Sequence, residues 1–90
     1  SNYVALTNDY VFADTSASVM TVTLPSNPKE RDIVFVADYA NSFALNNLLI
    51  NRNGSTIEGA NTNVNVTYSN REYSFVYLNA DWKIFSKKTI

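Results

Sequence analysis

Apolar and polar side chains alternate along much of the chain with a period of two residues, which is typical of β-strands that bury one face. The clearest alternation covers residues 64–68, Val-Asn-Val-Thr-Tyr, and residues 20–24, Met-Thr-Val-Thr-Leu. The helical spacing of i, i+3 and i+4 is not sustained in any window. The sequence therefore predicts an all-β chain with no substantial helix.

Other segments are apolar at nearly every position, and they predict strands that are covered on both faces. These doubly apolar segments are residues 33–37, 48–50 and 73–78. A first strand is predicted at residues 10–12, with a weaker candidate at 3–6 before it, and a last strand at 82–85. In so small a chain, a doubly apolar strand either lies in the middle of a sandwich or meets another chain.

One strong turn signal lies near the middle of the chain, where Asn53 precedes Gly54. This dipeptide suits a type I′ turn, since both of its central residues need positive φ angles. We therefore predict a structural hairpin at Asn53 and Gly54, in which Ile50 opposes Ile57 across the two strands.

Composition shows that the chain is polar but poor in glycine. Asn (13), Ser (9) and Thr (8) make up 30 of the 90 residues, whereas glycine and proline number two each. Asparagine, aspartate and serine are then expected to build the turns, and residues 69–71 and 79–81 in particular are predicted as hairpin connections. With no linker and no repeat, residues 1–90 are expected to form one domain, a small antiparallel β-sandwich or partly closed barrel of short strands.

The residue types that are absent exclude much chemistry. Without histidine or cysteine, the chain offers no imidazole base, thiol nucleophile, disulfide or thiolate zinc site. A net charge of −1 gives no electrostatic footprint for nucleic acid or for an anionic membrane. No apolar run approaches the roughly 20 residues that span a bilayer, so we expect no membrane insertion.

Carboxylates would be the best candidates for catalysis in such a chain, since a glycosidase needs two of them across a cleft. Their spacing selects no pair, and turn chemistry explains the four at predicted strand ends, which are Asp14, Asp32, Asp38 and Asp81. Neither a Gly-x-Ser-x-Gly motif nor an aspartate-rich calcium loop occurs. We therefore expect no enzymatic activity, no cofactor and no metal.

The twelve aromatic residues are compatible either with a β core or with a platform on which sugars stack. Most lie in phase with apolar neighbours and are expected in the core. Tyr39 and Phe43 are the exceptions, because they flank the longest stretch without clear periodicity, and we predict an exposed contact surface there. A carbohydrate-binding module remains the alternative function, because tyrosines and an Asn/Ser/Thr surface suit a bound glycan.

Five segments of the chain form a pattern when they are taken together: residues 22–25, 32–38, 47–59, 73–77 and 81–84. With these segments most of the chain, roughly residues 10 to 86, resembles a β-rich module of tailed phages. Similar domains occur in the baseplate wedge protein that anchors the short tail fibres, and in the attachment regions of tail fibres and tailspikes. The chain departs from the pattern at Asn79-Ala80-Asp81, the turn before Trp82, where the phage modules often have a glycine.

The resemblance implies a non-enzymatic structural module, one part of a longer phage tail protein. The module would be homotrimeric in its parent protein and would attach a receptor-binding fibre or spike to the virion. Its partners would then be other phage tail proteins, and its location the phage tail, which is extracellular when assembled. A heterologous interface around a threefold axis would also cover the outer faces of the doubly apolar strands.

Overall fold

The computed structural model describes residues 2–88 of the chain and has eight β-strands and no helix among them. The strands are β1 (Tyr3–Val4), β2 (Tyr10–Ala13), β3 (Met20–Thr23), β4 (Ile33–Asp38), β5 (Leu48–Asn51), β6 (Val64–Val66), β7 (Arg71–Leu78) and β8 (Asp81–Lys88). Each predicted strand is present, and the prediction of an all-β chain is confirmed. In the part of the chain described, no helix is long and apolar enough to cross a membrane.

The strands form two four-stranded sheets, with the orders β1-β3-β5-β6 in the first sheet and β2-β4-β7-β8 in the second. Up to β5, successive strands alternate between the two sheets, so a strand pairs with the strand two places along the chain and runs parallel to it. The pairs β1/β3, β3/β5 and β2/β4 are parallel, while β5/β6, β4/β7 and β7/β8 are antiparallel. The expectation of an antiparallel arrangement is therefore wrong for half of the pairs, and the sheets do not close into a barrel.

Both sheets bury their inner faces in one shared core. Val22 and Ile50 of the first sheet and Val34 and Phe75 of the second have no exposed surface. Trp82 is the largest side chain in the core and is also completely buried. Burial of this kind contributes about 1.5–3 kcal/mol for each large apolar side chain, so the shared core is what holds the sheets together.

Asparagine builds most of the turns that require a left-handed backbone. Positive φ angles occur at nine non-glycine residues of the part described, and six of these are Asn8, Asn27, Asn41, Asn53, Asn70 and Asn79. The expectation that asparagine replaces glycine in the turns is confirmed. Its short side chain tolerates this conformation better than that of other residues.

The turn at Asn53 and Gly54 is confirmed, with φ angles of 51° and 91° and a hydrogen bond from the Ser55 N–H to the Arg52 carbonyl. The predicted hairpin register is wrong, because Ile50 pairs with Val64 of β6. After the turn, the chain leaves the first sheet and reaches β8 of the second. Ile57 lies there opposite Trp82 and is buried in the core.

The predicted turns at residues 69–71 and 79–81 differ in what they connect. Asn70 adopts a φ of 64°, but it lies between β6 and β7, which belong to different sheets, so this turn forms no hairpin. Asn79 and Ala80 form a two-residue hairpin between β7 and β8, in which Leu78 pairs with Asp81.

The Asp81 carboxylate holds the loop between β5 and β6 against the start of β8. It accepts hydrogen bonds from the Thr56 hydroxyl at 2.6 Å, the Gly59 N–H at 3.0 Å and the Lys83 ammonium at 2.9 Å. Chiefly through the hydrogen bonds from Thr56 and Lys83, the pKa of Asp81 is lowered from 3.8 to about 2. A buried charge is expensive unless it is paired in this way.

The Asp38 carboxylate has the same role at the end of β4. Its two oxygens accept the N–H groups of Ser42, Phe43 and Asn70 at 2.9–3.1 Å. One carboxylate thus holds both the loop after β4 and the loop before β7, and each of these loops passes from one sheet to the other.

Replacing Ala80 with glycine is expected to stabilise the fold. Ala80 has a φ of 62°, which costs an L-residue about 1–2 kcal/mol and glycine almost nothing. After allowance for the greater freedom of glycine in the unfolded chain, we expect a gain of about 1 kcal/mol, or about 4–8 °C in thermal melting. The control is Ala17→Gly at an exposed alanine without positive φ, which should not stabilise, and an equal response of both variants would contradict the prediction.

Acid should weaken the fold partly through Asp81. The pKa of Asp81 in the folded protein lies below the ordinary value of an aspartate. The contribution of Asp81 to the free energy of unfolding is therefore complete above pH 4–5 and is lost as the pH falls from about 4 towards 2. Asp81→Asn should therefore cost about 2 kcal/mol at pH 7 and much less at pH 2, as measured by thermal melting across this range. The exposed Asp14→Asn serves as a control and should cost less, whereas a pH-independent deficit in Asp81→Asn would refute this role.

Candidate contact surface

The outer face of the second sheet carries aromatic side chains. In β2 the alternation buries Val11 and Ala13 and leaves Tyr10 and Phe12 exposed on the opposite side. Strand pairing continues this outer face across the sheet in a single row. The row consists of Tyr10, Phe35 of β4, Ser74 of β7 and Phe85 of β8.

We call the residues Tyr10, Phe12, Phe35 and Phe85 the aromatic face. The Tyr10 ring stacks on Phe12 with centroids 5.0 Å apart and on Phe35 with centroids 5.3 Å apart. Phe12 is 66% exposed, Phe85 55% and Tyr10 46%. Stacked rings that remain this open to water form an apolar patch, because stacking covers one side of each ring and leaves the other free.

A shallow depression lies over β7 and β8 on this outer face. Its volume is about 130 Å³, and Glu72, Ser74, Phe85 and Lys87 are among the residues that line it. The Tyr10 hydroxyl donates a 2.8 Å hydrogen bond to Glu72, which raises the pKa of Tyr10. The small side chain at Ser74 leaves space between the two aromatic parts of the face.

The outer face of the first sheet is different in character. Its central positions are Thr21 and Thr23 of β3 and Asn51 and the half-buried Leu49 of β5, and Asn65 of β6 extends the surface beyond them. Val4 of β1 is an isolated exposed apolar residue there, at 64%. The two outer faces of the domain are thus polar on one sheet and aromatic on the other.

The two residues predicted as a contact surface, Tyr39 and Phe43, differ in their exposure to solvent. Tyr39 is 71% exposed immediately after β4, so it is accessible for contact. Phe43 is fully buried and packs near Tyr73, with ring centroids 6.4 Å apart. The prediction is therefore wrong for Phe43, because the Asp38 carboxylate binds its N–H group and draws this loop into the core.

The sequence predicts that the residues of the aromatic face lie in the core, because they have apolar neighbours, and this prediction is wrong for the exposed Tyr10, Phe12 and Phe85. A signal was nevertheless present in β2, where Tyr10–Ala13 is apolar at all four positions and therefore has an apolar side on each face. The doubly apolar segment that begins at Ile33 carries the same signal. Adjacent apolar residues lie on opposite faces of a strand, so such a run cannot be buried by one core alone.

The exposed carboxylates next to turns bind backbone groups of their own segments. Asp9 accepts the N–H of Leu6, and Asp14 accepts the N–H of Ser16. The hydrogen bond from the Leu6 N–H lowers the pKa of Asp9, and the hydrogen bonds from the Ser16 hydroxyl and N–H lower the pKa of Asp14. Within residues 2–88, no three acidic side chains come together in a way that could hold a metal ion.

Comparisons with known proteins add no relative to this description. Neither the protein-family models nor the curated proteins match the chain.

Proposed function

We propose that this domain is a non-enzymatic structural module of a phage tail protein, in a baseplate wedge, tail fibre or tailspike, and that it assembles as a homotrimer. In this proposal the trimer attaches a receptor-binding fibre or spike to the virion. The aromatic face is the observation that supports the proposed assembly, and the sequence resemblance is what links the domain to phage tails.

An exposed aromatic patch favours a protein partner over water. Large exposed apolar patches are uncommon on monomeric proteins, and aromatic residues are enriched where proteins meet. Phe12 and Phe85 are each more than half exposed, although a ring of this size gains stability when it is buried. A partner that covers the aromatic face would remove both rings from water.

A second copy of the chain suits this face, because its two parts are unlike each other. Contacts around a threefold axis are heterologous, so they join two different patches of the same chain. One patch consists of the uncharged rings on β2 and β4, and the other of Phe85 with the exposed Lys87 beside it. A lysine ammonium placed over an aromatic ring is attracted to it, so the second patch complements the first.

The resemblance implies purely structural roles for the turn at Asn53 and Gly54 and for Trp82 at the last strand, and the contacts described above are compatible with such roles. The turn at Asn53 and Gly54 and the fully buried Trp82 both hold the loop after β5. These residues act by positioning the chain, as expected for a module whose task is assembly.

The assembly is tested by measuring mass in solution. The wild-type chain should give the mass of three 10.1 kDa copies in sedimentation equilibrium or light scattering. The double variant Phe12→Ser with Phe85→Ser should shift to the monomer mass while it retains the β-sheet circular dichroism of a folded chain.

The matched control is Val4→Ser, which removes a similarly exposed apolar side chain from the outer face of the first sheet. This variant should remain trimeric. A wild-type chain that stays strictly monomeric at about millimolar concentration, and does not bind other tail components, would count decisively against the proposal. An unchanged mass in the double variant would show that another surface is used.

A further inference from the structure

A polar groove lies at one end of the domain, away from the aromatic face. Its walls are the loop at residues 26–28, between β3 and β4, and the turn at residues 53–55, after β5. The half-buried Tyr77 of β7 also lines it. The volume of the groove is about 450 Å³, which is within the range of small-molecule sites.

Hydrogen bonds hold the turn side of this groove in place. The Asn53 side-chain amide donates to the Leu24 carbonyl at 3.0 Å, and the Asn53 N–H donates to the Asn51 side chain at 2.9 Å. The first of these bonds joins the turn to the segment that leads into the opposite loop. A site that is already ordered loses less conformational entropy when it binds a ligand.

Hydrogen bonds also hold the loop at residues 26–28 and the strand that carries Tyr77. Asp32 accepts the Lys29 N–H through its carboxylate at 2.9 Å, which closes the loop that begins at Ser26. The Tyr77 N–H donates to the Asp32 carbonyl at 2.8 Å. Tyr77 also packs on the buried Trp82, with ring centroids 5.2 Å apart.

Several polar side chains of the groove are available to a ligand. The hydroxyls of Ser26, Ser55 and Tyr77 and the amide of Asn27 make no hydrogen bond to any of residues 2–88. Hydroxyls both donate and accept, and an amide supplies two donors and an acceptor, so the set can match a ligand with mixed groups.

The charge of the groove indicates the class of ligand. No carboxylate, ammonium or guanidinium is among the seven residues that line it. Phosphate and carboxylate ligands are usually held by cations or by helix N-termini, and neither is among the residues that line this groove. The Arg52 guanidinium beside it donates to the Ser55 carbonyl at 2.9 Å. Neutral hydroxyl and amide groups together with one tyrosine ring suit a ligand that carries several hydroxyls and an apolar C–H face.

We infer that this groove binds a neutral saccharide. Amide and hydroxyl groups of Asn27 and Ser55 bind the sugar hydroxyls, and Tyr77 contributes its hydroxyl and its ring. This site is separate from the aromatic face, so it leaves that face free for a second copy of the chain.

The binding is tested by NMR titration of the ¹⁵N-labelled chain. The probes are glucose, galactose, mannose and N-acetylglucosamine and their β-linked disaccharides, each to about 50 mM, which detects dissociation constants in the millimolar range. At least one probe should produce saturable shifts confined to Ser26, Asn27, residues 53–55, Tyr77 and the side-chain amides of Asn27 and Asn53. Glucuronic acid should produce none.

Variants identify the groups that bind. Asn27→Gly removes the amide but accepts the backbone φ of 49°, and it should weaken binding about tenfold, as expected for the loss of a well-placed hydrogen bond. Tyr77→Phe should also weaken binding while its ring still packs on Trp82. The matched control Asn41→Gly changes an exposed asparagine with a φ of 54° outside the groove and should bind as the wild type does.

The inference is overturned if none of the neutral probes gives a saturable shift, if the shifts map to Tyr10 and Phe12 instead, or if Asn41→Gly weakens binding as much as Asn27→Gly. The double variant Phe12→Ser with Phe85→Ser should bind the saccharide like the wild type. Saccharide binding and trimer assembly can therefore fail independently of each other.

Discussion

Two buried carboxylates, Asp38 and Asp81, hold loops that connect or bridge the two sheets. Asp38 holds the loops after β4 and before β7, which pass from one sheet to the other, and Asp81 holds the loop between β5 and β6 of the first sheet against β8 of the second. Each accepts three hydrogen bonds, and without them the burial of a charge at these positions would be prohibitively unfavourable. Asp38 binds the N–H of Phe43, and Asp81 immediately precedes Trp82 in the chain. The two largest side chains of the core are therefore fixed beside the two charges, and the packing of both sheets depends on these contacts.

The surfaces follow from how the sheets share their core. Each sheet can bury only its inner face, so the character of each outer face is set by the residues that alternate with the core positions. On the first sheet these are threonine and asparagine with Leu49 and Val4 among them, and on the second they include the rings of Phe12 and Phe85. The polar groove at the end of the domain is formed by connecting segments, where the asparagine-rich turns leave side chains that the fold itself does not use.

Local structure was predictable where the backbone alone decides it. All eight strands were expected from runs and alternation of apolar residues, and the turns at Asn53 and Asn79 from the tolerance of asparagine for positive φ. The candidate surface was predicted only in part. Tyr39 is exposed as expected, but the burial of Phe43 depends on packing against Tyr73, which is distant in the sequence, as well as on the nearby Asp38 carboxylate.

The sequence by itself determined that this is an all-β chain with short strands, turns rich in asparagine, and more apolar strand positions than one core can bury. Only the tertiary structure decided that successive early strands alternate between sheets, which makes half of the pairs parallel and sends Ile57 to Trp82 instead of Ile50. It also decided which apolar residues form the core and which form the aromatic face. The physical reason is that the sequence pattern shows only whether each face of a strand is apolar. Whether that face is buried depends on which other strands pack against it.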